Sequence, residues 1–255
     1  MNTWALKISY RGTNYHGWQR QKQVVTVQET LENALFAVSG QQITTVGCGR
    51  TDAGVHARMY CVSFRAKINI PAEKLPLALN AHLPEDIVVQ AAMIAADDFN
   101  AILSCVKKEY SYQILNARVR DPFLSPFSYF YPQKFDLEKV QQAAHHFVGT
   151  HDFAAMRSVG TVTKTSVRTV HYFELSQEGT LITMRVCADG FLYNMARAMV
   201  GTLLYVAQGK IQPDEIPELL READRTKAGP TAVAEGLAMT KLWYPDPVGQ
   251  MFEMA

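Results

Sequence analysis

Cysteine is scarce and scattered. The four cysteines (Cys48, Cys61, Cys105, Cys187) form no C-x-x-C pair and have no histidine at a metal spacing, so neither a zinc site nor a disulfide framework is supported. Long apolar runs are also missing. The longest, around Met195 to Ala207, is interrupted by Arg197 and is shorter than the roughly 20 residues a bilayer span needs, so no membrane partner is expected. The N-terminus alternates as Trp4-Ala5-Leu6-Lys7-Ile8-Ser9-Tyr10 instead of pairing a basic stub with an apolar run; no signal or transit peptide is read, and a cytoplasmic location is expected. Nor is there a charge excess. Lys and Arg number 25 against 24 Asp and Glu, a formal net charge of +1, so the overall balance marks neither a nucleic-acid binder nor an acidic solvated protein. What is present is an ordinary globular composition, 255 residues with 48% hydrophobic and 19% charged, which excludes disorder and fits one large domain or two small ones.

The charge is unevenly distributed. Met1 to Ile70 carries eight bases and three acids, whereas Asp136 to Ala255 carries eleven bases and fourteen acids. The basic first quarter is either a solvated positive face or an anion-binding surface.

Periodicity predicts an α+β fold. Trp4, Leu6, Ile8 and Tyr10 share one face of a half-buried strand. Thr26-Val27-Gln28-Glu29 is a capping box, opening a helix that Gly40 stops. Strands over Ile43 to Cys48 and around Tyr60 to Phe64, a helix from Pro71 to Ala81 and a strand from Ile87 to Met93 complete β-α-β-β-α-β, the ferredoxin-like unit. The second half repeats that order. A Tyr110-Tyr112-Ile114 strand comes first, then a helix capped by Asp136, and then a hairpin of Val167 to Leu175 with Leu181 to Cys187. A helix from Phe191 to Ala207, a short helix from Pro213 to Ala223 and a last strand from Gly236 to Trp243 follow. The expected architecture is two ferredoxin-like halves with antiparallel sheets, residues 1–104 and 105–255, and an active-site cleft between them.

Two segments carry chemistry. Arg11-Gly12-Thr13-Asn14-Tyr15-His16-Gly17-Trp18-Gln19-Arg20-Gln21 mixes bases, aromatics and glycines; it is either an RNA-touching loop or a surface turn whose Trp18 covers a core edge. Gly47 to Ala57 holds three glycines, which suggest backbone running close to something bulky, and places Arg50 and Asp52 on one side if extended. It is no dinucleotide fingerprint, because its glycine spacing differs and it opens no helix. Arg50 and Asp52 read as a site or as a structural turn pair. Arg197, among Leu192, Met195, Ala196, Met199, Val200 and Leu203, either finds a carboxylate inside or reaches for water. Tyr110 could hold an extruded base or pack in the core. His145 and His146 are assigned nothing.

Gly49-Arg50-Thr51-Asp52-Ala53-Gly54-Val55-His56-Ala57 resembles the signature of the TruA family of tRNA pseudouridine synthases. Four further segments resemble that family in order. They are Tyr10-Arg11-Gly12-Thr13 through Gly17-Trp18-Gln19-Arg20-Gln21, Tyr110-Ser111-Tyr112, Gly190-Phe191-Leu192-Tyr193-Asn194-Met195-Ala196-Arg197, and Ala228-Gly229-Pro230-Thr231-Ala232 through Glu235-Gly236-Leu237. The resemblance implies Asp52 as the catalytic carboxylate, Tyr110 as the ring stacked on the target uracil, Arg197 as the cation paired with the aspartate, and Leu237 as an apolar wall. Arg50, Arg11, Trp18 and Arg20 are expected to contact the RNA. The family isomerises uridine to pseudouridine at positions 38, 39 or 40 of the tRNA anticodon stem-loop, as a homodimer, with no metal and no cofactor. The chain departs from the family pattern at Ile102, where an arginine is common, and at Ala196, Val233 and Arg11.

Two other classes compete. A non-catalytic RNA-binding protein gains nothing from Asp52 in a basic loop. A small-molecule acid/base hydrolase leaves the basic, aromatic loop from Arg11 to Gln21 unexplained.

Overall fold

The computed structural model describes residues 1–158 and 163–253, which form two units. One comprises Met1–Lys108 and the segment from Ala238 onward; the other is Glu109–Leu237.

In chain order the first unit contributes β1 (Asn2–Tyr10), α1 (Val27–Ser39), β2 (Val46–Gly47), β3 (His56–Ala66), α2 (Leu75–Asn80) and β4 (Ile87–Ala95). β1 lies between β3 and β4, antiparallel to both, with Trp4 opposite Phe64, and Leu6 opposite Val62 and Ala92. β2 pairs with the far side of β3. Helix α1 begins where its cap predicts: the Thr26 side chain accepts from the Glu29 amide, and Gly40 ends the helix at φ +68, a left-handed turn that glycine adopts at little cost. The strand expected over Ile43 to Cys48 shrinks to two residues, because side chains of α1 take the polar groups a ladder would use. The Glu32 carboxylate accepts from the Thr45 amide and hydroxyl, and Gln28 donates to the Thr45 carbonyl.

The second unit contains β5 (Lys107–Leu115, from Glu109 on), β6 (Tyr129–Phe130), α3 (Leu137–His145), β7 (Gly149–Asp152), β8 (Val167–Glu178), β9 (Leu181–Ala188), α4 (Met195–Ala207) and α5 (Ile216–Glu222). Its strands run β5-β9-β8-β7, with β6 parallel to β5. Asp136 caps α3 by accepting from the Lys139 amide at 3.1 Å. The expected repeat of the first half's order is interrupted by β7, which pairs with the start of β8. Helix α4 starts four residues later than predicted, because Asn194 turns left-handed at φ +62 and separates Phe191 to Tyr193 from the helix.

β10 (Leu237–Trp243) and α6 (Val248–Glu253) complete the fold. From Ala238 on this segment belongs to the first unit, whereas a division after residue 104 leaves it with the second. The reason is packing. β10 runs parallel to β3, Ala238 opposite His56 and Met239 opposite Ala57. Tyr244 donates to the Ala101 carbonyl at 2.5 Å and lies tilted at 5.3 Å from Phe252, whose ring lies 5.9 Å from the Lys7 ammonium. β1 is therefore buried on both faces, not half-buried: Thr3 and Ala5 are covered as fully as Trp4 and Leu6, and Lys7 is also buried. Among the described residues no helix is long and apolar enough to cross a membrane.

Candidate active site

The loop between β2 and β3 carries Asp52, and a second loop grips it. The Trp18 amide donates to the Thr51 carbonyl at 3.1 Å, the Gly54 amide to the Tyr15 carbonyl at 3.2 Å, and the Gly12 amide to His56 Nδ1 at 3.0 Å. The Tyr10 and Thr51 hydroxyls share a bond of 2.8 Å, and the Tyr60 hydroxyl donates to the Gly49 carbonyl. No side chain fits between the two loops. A Cβ on Gly12 would lie 2.0 Å from the Val55 carbonyl oxygen, and one on Gly17, already at φ +84, 2.4 Å from that of Thr51. The loop is not extended: it turns at Asp52, whose carbonyl accepts from the Val55 amide at 3.1 Å. Asp52 is half-buried, Thr51 is buried and Arg50 is exposed.

Under this loop lie Cys48 and Met239, their sulfurs 3.6 Å apart, and the Lys108 ammonium, which donates to the Cys48 carbonyl. Burial pushes the Cys48 thiol up to about 12, so at neutral pH it is a protonated core side chain and not a thiolate nucleophile.

The three residues of the Arg11 to Gln21 loop expected to meet RNA are placed differently. Arg11 is exposed. Arg20 is exposed too but forms ion pairs with Glu32 at 3.2 Å and Glu29 at 3.9 Å. Trp18 is only 2% exposed, its ring 4.5 Å from that of Tyr60 and against Gly47, so it belongs to the core that seats the loop.

In the second unit, β5, the start of α4 and the segment from Ala228 to Gly236 form one polar and aromatic cluster. Tyr110 is buried, with Phe191 edge-on at 4.9 Å. The half-buried Arg197 donates through Nε to the Ala232 carbonyl at 2.7 Å and through Nη1 to Asn194 at 3.2 Å, while its own carbonyl accepts from the Ala232 amide. Gly229 packs directly on Gly201, where a Cβ on Gly201 would lie 1.6 Å from the Pro230 carbonyl oxygen. Thr202 accepts from the Gly229 amide, and Tyr112 donates to the Val233 carbonyl. Leu237 is buried at the end of this segment. Sequence reasoning found the ends of the cluster, Tyr110 and Arg197, but missed what ties them together. The available signal was the glycine pair Gly229 and Gly236, each packed against a neighbour with no space for a side chain.

The sequence matches the profile of the tRNA pseudouridine synthase family over residues 7–102 and 143–245. It is 43% identical over 244 residues to tRNA pseudouridine synthase A of Thermoanaerobacter sp. (strain X514), and equally to that of Acetivibrio thermocellus; it is 40% identical to that of Clostridium acetobutylicum. Each alignment covers 96% of this chain and 100% of the relative. Among solved structures, a crystal structure of a Cbf5-Nop10-Gar1 complex matches at TM-score 0.36 and 13% identity, covering 92% of this chain and 57% of that one. With the relatives matched from end to end and the family profile spanning both units, the chain belongs to the tRNA pseudouridine synthase A family of isomerases.

Proposed function

We propose that the protein isomerises uridine to pseudouridine at position 38, 39 or 40 of the tRNA anticodon stem-loop, with Asp52 as the catalytic carboxylate. The observation that carries this reading is the grip on the Asp52 loop, where backbone hydrogen bonds on both sides hold one half-buried acid in a fixed place. Such pre-organisation serves a reacting group better than it serves a surface acid.

The reaction breaks the N1–C1′ bond, turns the uracil while it stays bound, forms the C5–C1′ bond, releases the C5 hydrogen to solvent as a proton and leaves N1 carrying a proton taken up in its place. Positive charge grows at C1′ as the bond breaks. An ionised carboxylate stabilises that charge, adds to it covalently, or takes the C2′ proton, and Asp52 is the group assigned to this work. Tyr110, buried and braced by Phe191, offers an aromatic face for the uracil. Arg197 is the cation assigned to the reaction, and Leu237 an apolar wall. The exposed Arg11, Arg20 and Arg50 meet phosphates. Trp18 supports that surface from beneath. Each unit is read as one ferredoxin-like half, and the working form as a dimer of this chain, which sedimentation checks.

Release of tritium from tRNA labelled at uracil C5 tests the reading, because isomerisation expels that hydrogen and binding does not. Asp52→Asn is expected to lower the rate by more than about a thousandfold with tRNA affinity nearly unchanged. Turnover by Asp52→Asn near the wild-type rate removes Asp52 from the chemistry.

A further inference from the structure

The Arg11 to Gln21 loop leaves one acid to explain. Asp86, in the turn before β4, accepts from three points of that loop. Its carbonyl takes the Arg11 amide at 2.9 Å, Oδ1 the Tyr15 hydroxyl at 2.5 Å, and Oδ2 the Asn14 amide group at 3.1 Å. Tyr15 is buried, and its own carbonyl accepts the Gly54 amide two residues beyond Asp52. Gly54 sits at φ +81, one of many conformations open to a glycine, so this hydrogen bond selects the one the turn uses.

We infer that Asp86 is a positioning residue for the reaction, acting through Tyr15 to set the Gly54 turn and with it the place of Asp52. The inference rests on the proposed role of Asp52. The Asp86 carboxylate has a position but no chemistry: both oxygens accept from the loop, and the phenol proton of Tyr15 is held against it, burial and the adjacent carboxylate both raising its pKa. A short charge-assisted bond of this kind holds a tyrosine ring more firmly than packing alone does. A small displacement at the end of such a chain is felt in turnover and not in affinity, because reacting atoms tolerate less error than phosphate contacts.

Two readouts on the full-length protein test it: kcat and KM from tritium release, and amide hydrogen exchange of the peptide containing Gly54. Tyr15→Phe and Asp86→Ala are each expected to lower kcat by about tenfold with KM for tRNA within about twofold. The double variant should be no worse than either single one, since both cut one connection. Asp86→Asn, whose amide oxygen still accepts from Tyr15, should recover at least half of the wild-type kcat. Exchange at Gly54 should quicken in Tyr15→Phe and Asp86→Ala but not in Asp86→Asn. Multiplicative losses in the double variant, an effect confined to KM, or unchanged exchange at Gly54 each overturn the inference. Exchange is read without turnover, so it decides the connection even if Asp52 proves not to be the catalytic group.

Discussion

The two units hold their proposed functional residues in opposite ways. Around Asp52 it is the backbone that is held: the amides of Trp18, Gly54 and Gly12 bind one loop to the other, and glycines at 12 and 17 let the chains touch. Around Arg197 it is the side chain that is held, its guanidinium bound to the Ala232 carbonyl and to Asn194 on a helix whose Gly201 presses against Pro230. Fixing a backbone places a short side chain through its own main chain. Fixing a guanidinium ties a cation to the segment that also braces the β5 aromatics. Variants of Asp52 should therefore damage chemistry alone, whereas variants of Arg197 should damage chemistry and fold together.

The largest effect that separates the two arrangements is expected at the glycines. Gly201→Ala drives a methyl into the Pro230 carbonyl between two rigid backbones and should cost more than about 3 kcal/mol, read as a fall in the unfolding midpoint. Gly12→Ala drives a methyl into the Val55 carbonyl and forces apart the two loops that hold Asp52, so beyond its stability loss it should lower tritium release even where the protein stays folded, whereas folded Gly201→Ala should keep more of its activity. Equal activity losses in the folded fractions of both variants would erase the contrast.

Arg197→Met comes next. It removes the bonds to Ala232 and Asn194, and should lower stability by about 1–3 kcal/mol as well as lowering turnover. Asp52→Asn should leave stability within about 0.5 kcal/mol of wild type. Urea unfolding of the two variants side by side makes the comparison, and an Arg197→Met protein as stable as wild type would refute it.

The smallest effect lies under the Asp52 loop. Burial raises the folded-state pKa of Cys48 from 9.0 to about 12, so the unfolded chain ionises first. Its contribution is fully present below about pH 9 and is lost as pH rises toward 12, at no more than about 1.4 kcal/mol per pH unit for one proton. Cys48→Ala should make the decline of stability between pH 9 and pH 11 shallower by at most that slope.

Much of this was legible in the sequence because local chemistry decided it. Thr26 and Asp136 announce helix starts that need only their own side chains, and Gly40 announces a stop. The Asp52 segment stood out by its residues alone. What was illegible depends on partners far along the chain. Ile43 to Thr45 has strand-like residues, but Glu32 and Gln28 of α1 take the Thr45 backbone. Trp18 looks like an RNA-facing aromatic until Tyr60 and Gly47 are seen around it. Lys7 reads as the solvent side of β1, and only the packing of Phe252 shows that it has none. Ile102, one of the departures from the family pattern noted in the sequence, is exposed.

The return of β10 and α6 to the first unit has a consequence for biosynthesis. A ribosome that has made the first 108 residues has not yet made a unit that can finish folding. The covering for Lys7 and the partner strand for His56 and Ala57 are still more than 120 residues from the peptidyl-transferase centre. Until they emerge, the nascent Asp52 loop lacks Met239 beneath it, so the loop gains its full support only after β10 has been made.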